Sequence, residues 1–380
     1  MRAYVLPDAR LAKLAGRVVR LDIDTEKPGN APFVEKFPID AWPTLLAIDP
    51  STEQVILRWA GTATVPQVEK LALDAERAMR AGEASRADAA LARADRLLGE
   101  RRHAEAAAAY REALAAGGKT WERRERAAEA LVQATGFADD PDACARTARE
   151  VLPTLAPGAA AARVAAQGLA CALDIEDATA RTSALDALEP IARAALGAGG
   201  VLADDRSWLY DELAKARAAR GDEAGAKAVA RRWLAFLDGE AARARTPVER
   251  SAFDGQRLQA AIRAGEPARI LPALLASERD LPEEFVPPTN LAVLYLELGR
   301  PRDALAAAER ALARAKGPRR IRVLVLEAQA QDALGDRAAA RSTLERALSE
   351  SAALPDATRP RGYTEKARKL LAKLDGAAAD

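Results

Sequence analysis

The stretch Asn290–Leu312, NLAVLYLELGRPRDALAAAERAL, most constrains what this chain can fold into. Leu291, Leu294, Tyr295 and Leu298 recur at helical spacing on one face. Gly299 stops that helix. Pro301 opens the next, where proline's missing N–H costs little. Ala304, Ala308 and Ala311 give the second helix a narrow face that a neighbour can approach closely. One such hairpin cannot bury its own apolar face, so it needs neighbours. The turn glycines Gly221, Gly265, Gly299 and Gly335 supply them, at spacings of 44, 34 and 36 residues. An earlier copy, LLGERRHAEAAAAYREAL at 97–114, has its glycine displaced but keeps the second-helix pattern over 104–114. Between 120 and 200 the helices persist while the motif degrades.

A helix, a glycine turn and a helix with alanines at fixed offsets, repeated near a period of about 34 residues, resembles the tetratricopeptide repeat (TPR). The resemblance implies a mostly α fold, an α-solenoid of TPR-like hairpins over 82–376. It also implies a protein or peptide partner held in extended form on the concave face, through Lys, Arg, Asn and aromatic side chains. The hairpins fall at 85–117, 119–155, 159–196, 207–238, 247–280, 285–316 and 318–350. Tyr363–Leu374, YTEKARKLLAKL, is amphipathic with a lysine-rich outer face, as a terminal capping helix should be. The two-carboxylate clamp of chaperone-binding TPRs needs asparagines and lysines in a set pattern, and Asn30 and Asn290 are the only asparagines.

At 380 residues the chain suits two domains, or a small domain plus an array. Aromatics are 4%, and much of the apolar share is alanine, which fits many short helix–helix contacts better than one thick core. The formal net charge of +1 recommends neither nucleic acid nor a membrane surface as partner. No apolar run reaches membrane-spanning length, and Met1 is not followed by a signal-peptide h-region. No P-loop, nucleophile elbow or dinucleotide fingerprint is present, so no cofactor is implied, and the oligomeric state stays open.

Residues 1–81 are a different kind of sequence. Met1–Ala15 reads as a helix ended by Gly16, and Val18–Asp24, VVRLDID, as a strand. Residues 30–37 read as a short helix, Thr44–Asp49 and Gln54–Ala60 as strands, and Val65–Arg80 as a helix. The acidic end of the first strand (Asp22, Asp24), the run FPIDAWPTLLAIDP at 37–50 and Gly61 before the last helix together resemble the second half of a thioredoxin fold. The resemblance implies a small α/β domain at 1–81 with a cis Trp42–Pro43 bond, and a substrate-binding surface at Trp42, Pro43 and Thr44. An ordinary trans proline at a strand start is the other reading of Pro43. Thioredoxins carry a Cys-x-x-Cys and a central strand ahead of the helix that here begins at Met1. Both are absent, so no catalytic residue is assigned. One expectation is a late start, with a Trp-Cys-x-x-Cys segment upstream of Met1. The other is a shortened domain whose strands have closed the gap.

Cys144 and Cys171 are the only cysteines, 27 residues apart in alanine-rich helices. Two buried free thiols are expected, since cysteine packs as a small hydrophobe; a disulfide or reactive pair is the alternative. His103 is the only histidine and has no metal partners at ligand spacing. Trp208, Tyr210, Trp233 and Tyr295 are candidate contact aromatics, though such helix-face residues usually belong to a core. Two functional classes remain. One is a thioredoxin-family thiol–disulfide protein fused to a TPR interaction array, redox-inactive as written. The other is a non-catalytic, peptide-binding TPR scaffold with a vestigial thioredoxin-like cap. The resemblance implies a bacterial exported or periplasmic location if an upstream segment exists, and a cytoplasmic one otherwise.

Overall fold

Local chemistry sets most helix boundaries. The computed structural model describes residues 4–80 and 85–376. Residues 81–84, where the sequence places a domain boundary, and Met1–Ala3, the start of the expected first helix, lie outside the described residues. Two compact units emerge. The first contains the described residues up to Arg20 together with Pro38–Trp233, and the second contains Leu21–Phe37 together with the residues from Leu234 onward.

In chain order, α1 is Ala31–Lys36, β1 Thr44–Ile48, β2 Val55–Ala60 and α2 Val65–Arg80. Helices α3 (Arg86–Gly99) and α4 (His103–Gly117) form the first hairpin, and α5 (Arg124–Phe137) and α6 (Pro141–Val151) the second. The third is α7 (Ala159–Asp174) with α8 (Ala178–Ala195), followed by α9 (Ala203–Ala219) and α10 (Glu223–Arg243). Beyond them lie α11 (Pro247–Ser251), α12 (Asp254–Ala264) and α13 (Leu271–Asp280). The pairs α14 (Val286–Glu297) with α15 (Pro301–Arg314) and α16 (Arg319–Ala333) with α17 (Arg337–Ala352) precede the terminal α18 (Arg361–Gly376).

Side-chain caps fix several starts. Ser85 accepts from the Asp88 N–H at 3.1 Å, Asp140 from Ala143 at 2.8 Å, Asp177 from Ala180 at 2.7 Å and Asp336 from Ala339 at 2.9 Å. Gly221, Gly265, Gly299 and Gly335 all lie between helices with positive φ, as their spacing predicts. At Gly299 (φ +64°) the left-handed turn frees the Arg300 N–H to close back on the Tyr295 carbonyl at 2.8 Å, a bond that completes the helix end.

In the first unit, one alanine- and leucine-rich core runs from α3 through α9, with Leu91, Tyr110, Leu169, Leu185, Leu188 and Leu209 fully buried. A second, smaller cluster joins Leu57 and Trp59 of β2 to Ala63 and to Leu71 and Ala75 of α2. In the second unit, Ile321, Leu324, Val325, Ala328, Leu344 and Ala347 form a core closed by Ala367 of α18. The segment Leu21–Phe37 belongs to this unit. Arg319 bridges Asp24 and Glu26 at 2.7 Å each, Pro28 packs near Gly317, and Ala31, Val34 and Phe37 are buried.

The N-terminal sheet departs from the thioredoxin expectation. Among the described residues it has two strands only, β1 and β2, paired antiparallel with Thr44 opposite Ala60 and Leu46 opposite Arg58. Val18–Asp24 forms no strand, and Val19 and Leu21 stand 89% and 72% exposed. A strand exists only by pairing, and Val18–Asp24 pairs with no described segment. Ala9–Leu14 is a 3-10 helix, a shorter element than the α-helix expected across Met1–Ala15. The Trp42–Pro43 bond is cis, as the resemblance implies.

The cysteines also correct the sequence reading. Cys144 and Cys171 are buried as expected, but they are joined in a disulfide, with sulfurs 1.98 Å and Cα atoms 5.9 Å apart. Helices α6 and α7 bring the two side chains face to face. Gly136 of α5 lies beside the bridge: a Cβ there would reach ordinary contact with Cys144 Sγ at 3.4 Å and Cys171 Sγ at 3.5 Å, and a tighter 3.1 Å from Gln167 Nε2. Closing this loop should restrict the unfolded chain and stabilise the unit by roughly 3 kcal/mol. Cys144→Ser or Cys171→Ser is therefore expected to lower the urea midpoint of the array. A midpoint equal to that of the oxidised wild type would show that the bridge adds nothing.

Candidate interaction groove on the first unit

Asp95, Glu129 and Arg163 lie one repeat of 34 residues apart, on α3, α5 and α7. Gln133 and Gln167 share a second position at the same spacing. Equal repeat positions put side chains on the same side of successive helices, so these residues line one face of the array. That face holds β2. The Arg58 N–H donates to Asp95 Oδ2 at 3.1 Å, and Arg126 Nη2 donates to the Arg58 carbonyl at 2.9 Å. Gln133 Nε2 donates to the Ala60 carbonyl at 2.9 Å. In the antiparallel ladder, Arg58 and Ala60 turn these backbone groups away from β1. Side chains of the array thus stand where a third strand would be.

Arg163 anchors the deep end. Its guanidinium takes Glu129 in a two-pronged pair at 2.6 and 2.8 Å and Asp205 of α9 at 2.9 Å, and it lies 5.6 Å from the Trp59 ring centroid. Thr62 donates to the other Asp205 oxygen, and Trp59 Nε1 donates to the Thr62 carbonyl at 2.9 Å. Burial pushes the Glu129 and Asp205 carboxyls up, against the pull of Arg163. Desolvation works to lower the Arg163 guanidinium, but the two carboxylates together outweigh it and hold it charged. At the other end, the buried Tyr110 hydroxyl donates to Asp95 Oδ1 at 2.8 Å; burial, then the Asp95 charge, raises that phenol. Arg58 donates to the Pro38 carbonyl, and burial lowers its pKa.

The sequence-predicted surface is placed beside this groove. Trp42 is 68% exposed, Pro43 accepts from the Gly61 N–H at 2.7 Å, and the Thr44 hydroxyl donates to the Ala41 carbonyl at 2.6 Å. These three residues form the turn into β1. They do not meet the cysteines, which sit between α6 and α7. Trp233 and Tyr295 are buried in their units, Trp208 and Tyr210 half-buried, so the aromatics serve packing first. His103 lies 3.5 Å from Asp40, which Arg101 also pairs at 2.9 Å, and its ring packs near Phe137. The groove residues themselves escape a search for an asparagine–lysine clamp. Their signal in the sequence is the 34-residue recurrence of charged and amide residues at positions that should be apolar.

Removing the cation from this buried cluster strands two carboxylates. Arg163→Met is expected to cost about 3–5 kcal/mol at neutral pH. The sign with pH follows from the raised carboxyls. Their neutral forms favour the fold at low pH, and that contribution is lost as pH rises through the raised values. The variant should therefore lose more stability at pH 8 than at pH 5, measured by urea unfolding. A loss independent of pH would mean that Arg163 acts only by packing.

No family model matches the sequence, and no curated protein matches it. Solved structures do resemble the chain. A tetratricopeptide repeat protein from Parabacteroides merdae is 11% identical over 75% of this chain and 100% of its own, with a TM-score of 0.43. The assembly chaperone of RpL4, Acl4 (residues 1–338), is 16% identical over 77% of this chain and 99% of its own, at 0.37. The TPR2AB domain of yeast Sti1 in complex with pHSP90 is 15% identical over 74% and 98%, at 0.28.

Proposed function

We propose that the chain is a non-enzymatic interaction scaffold, an array of TPR-like hairpins with the N-terminal β-hairpin as its built-in cap. The observation that carries this reading is the seating of β2. Asp95, Arg126 and Gln133 hold the main chain of an extended segment through its N–H and C=O groups. That is how an array can bind a peptide with little regard to sequence, and here the occupant is the chain's own strand. Trp42, Pro43 and Thr44 belong to the reading as contact surface on the cap, beside the filled groove. The partner class is a protein or peptide.

Thiol–disulfide chemistry finds no support in the site. It needs a thiolate with a lowered pKa at a helix N-terminus and a second thiol to resolve the mixed disulfide. Both cysteines of the chain are consumed in a buried bridge between α6 and α7. The full chain is expected not to reduce insulin disulfides with dithiothreitol above the uncatalysed rate; acceleration lost on Cys144→Ser would restore the redox reading. The same bridge favours an oxidising compartment, hence an exported protein.

The scaffold reading is tested by loosening the resident strand. Trp59→Ala removes the ring under Arg163 and leaves every groove residue in place. That variant should bind a synthetic peptide of residues 54–62, QVILRWAGT, in titration calorimetry, whereas the wild type should not. Equal indifference of both proteins to the peptide would count against the groove as a peptide seat.

A further inference from the structure

The molecule treats the two edges of its β-hairpin differently. The outer edge of β2 is closed by Asp95, Arg126 and Gln133. The outer edge of β1 is not closed. Bonding of Pro43 to Gly61 and of Asp49 to Gln54 fixes the alternation of the ladder. It leaves the N–H and C=O groups of Thr44, Leu46 and Ile48 pointing away from β2. Among the described residues none of these groups has a hydrogen-bond partner. The strand reads TLLAI, with no charge and no proline; its five-residue length and a register shift between Ala47 and Ile48 limit the edge, but the outward groups of Thr44 and Leu46 lie ahead of that shift in the regular part of the ladder.

We infer that the β1 edge takes up an extended, uncharged peptide segment of a partner protein as a third strand of the sheet. The inference rests on the scaffold reading and names the chemistry of the partner. Charge selects it first. Leu45, Leu46, Ala47 and Ile48 offer no counter-ion, so a charged residue laid across them would lose water and gain no partner. Area selects it next. Two folded proteins need about 1,200–2,000 Å² of contact for a stable interface. A five-residue edge supplies little of that by itself. An added peptide strand needs only the edge and its adjoining faces, because main-chain hydrogen bonds give the affinity. The edge therefore suits a peptide better than a second copy of the chain.

The test uses the full chain and a fluorescein-labelled peptide alternating threonine and valine, read by fluorescence anisotropy. Leu46→Pro deletes the central outward N–H and keeps the bonds that Leu45 and Ala47 make to β2, the setting in which an edge strand tolerates proline. Saturable binding by the wild type, weakened by about tenfold or more in Leu46→Pro, is the expected result. The same peptide N-methylated on alternate amides should lose binding to the wild type by a similar factor. Circular dichroism controls for folding, and Leu46→Lys, expected to weaken binding likewise, replaces the proline variant if that one unfolds. Absence of saturable binding to the wild type overturns the inference. Binding indifferent to Leu46 or to N-methylation overturns the edge as the site and leaves the scaffold reading intact. A dimer in sedimentation that Leu46→Lys dissociates overturns the peptide as occupant in favour of a second copy. The scaffold reading fails separately, through the Trp59→Ala titration.

Discussion

The first unit depends on a buried guanidinium. Arg163 is 3% exposed, and its counter-ions Glu129 and Asp205 are equally hidden. Removing such groups from water costs several kcal/mol per ion, and mutual attraction repays it only when geometry is good and the remaining lone pairs are used. Here the geometry is good. Two parallel bonds reach Glu129, one reaches Asp205, and the free Asp205 oxygen takes the Thr62 hydroxyl. The cluster gains little net stability over an apolar core of the same shape. Four chain segments, α5, α7, α9 and the loop after β2, must be placed correctly before any of these charges is satisfied.

The same logic explains how a two-stranded sheet persists at all. An isolated hairpin is marginal in water, because half of its backbone groups face solvent and its faces bury little. Here α2 covers one face through Leu71 and Ala75, and the array completes the β2 edge with side chains. The sheet lacks a third strand there, and a carboxylate, a guanidinium and an amide do that work. Their donors and acceptors match the order in which an extended chain presents its own. Asp95 accepts, while Arg126 and Gln133 donate.

The helical hairpins were legible because their signals are local. A turn glycine, a proline at a first helical position and alanines at fixed offsets act within one or two turns of helix, so the sequence near Gly299 predicts the structure near Gly299. The strands β1 and β2 were legible for a similar reason, as apolar runs bounded by Pro50 and Gly61. Val18–Asp24 carries the same kind of pattern and forms no strand, because pairing is a nonlocal requirement that pattern does not report. The disulfide escaped for an equally nonlocal reason. It needs Cys144 and Cys171 at matching depth on α6 and α7, two helices whose packing no local pattern reports. The groove was readable in principle, since Asp95, Glu129 and Arg163 recur at the repeat period. The meaning of that recurrence lies in what covers it, and β2 is 37 to 105 residues away in the chain when counted from Arg58 to Asp95 and to Arg163.

The division of labour along the chain follows from this. The segment before α3 supplies a strand to the groove of the first unit and, through Leu21–Phe37, an acidic strap and a short helix to the second. Its own apolar clusters are small, one around Leu57 and Trp59 and one around Val5, Leu11 and Leu14. Clusters of that size do not offset the conformational entropy of ordering some eighty residues, which costs on the order of 1–2 kcal/mol for each backbone residue fixed. The N-terminal segment is thus ordered by the helical hairpins that it covers, and not by a core of its own. Seated there, β2 occupies side chains that would otherwise pair with the main chain of any extended segment.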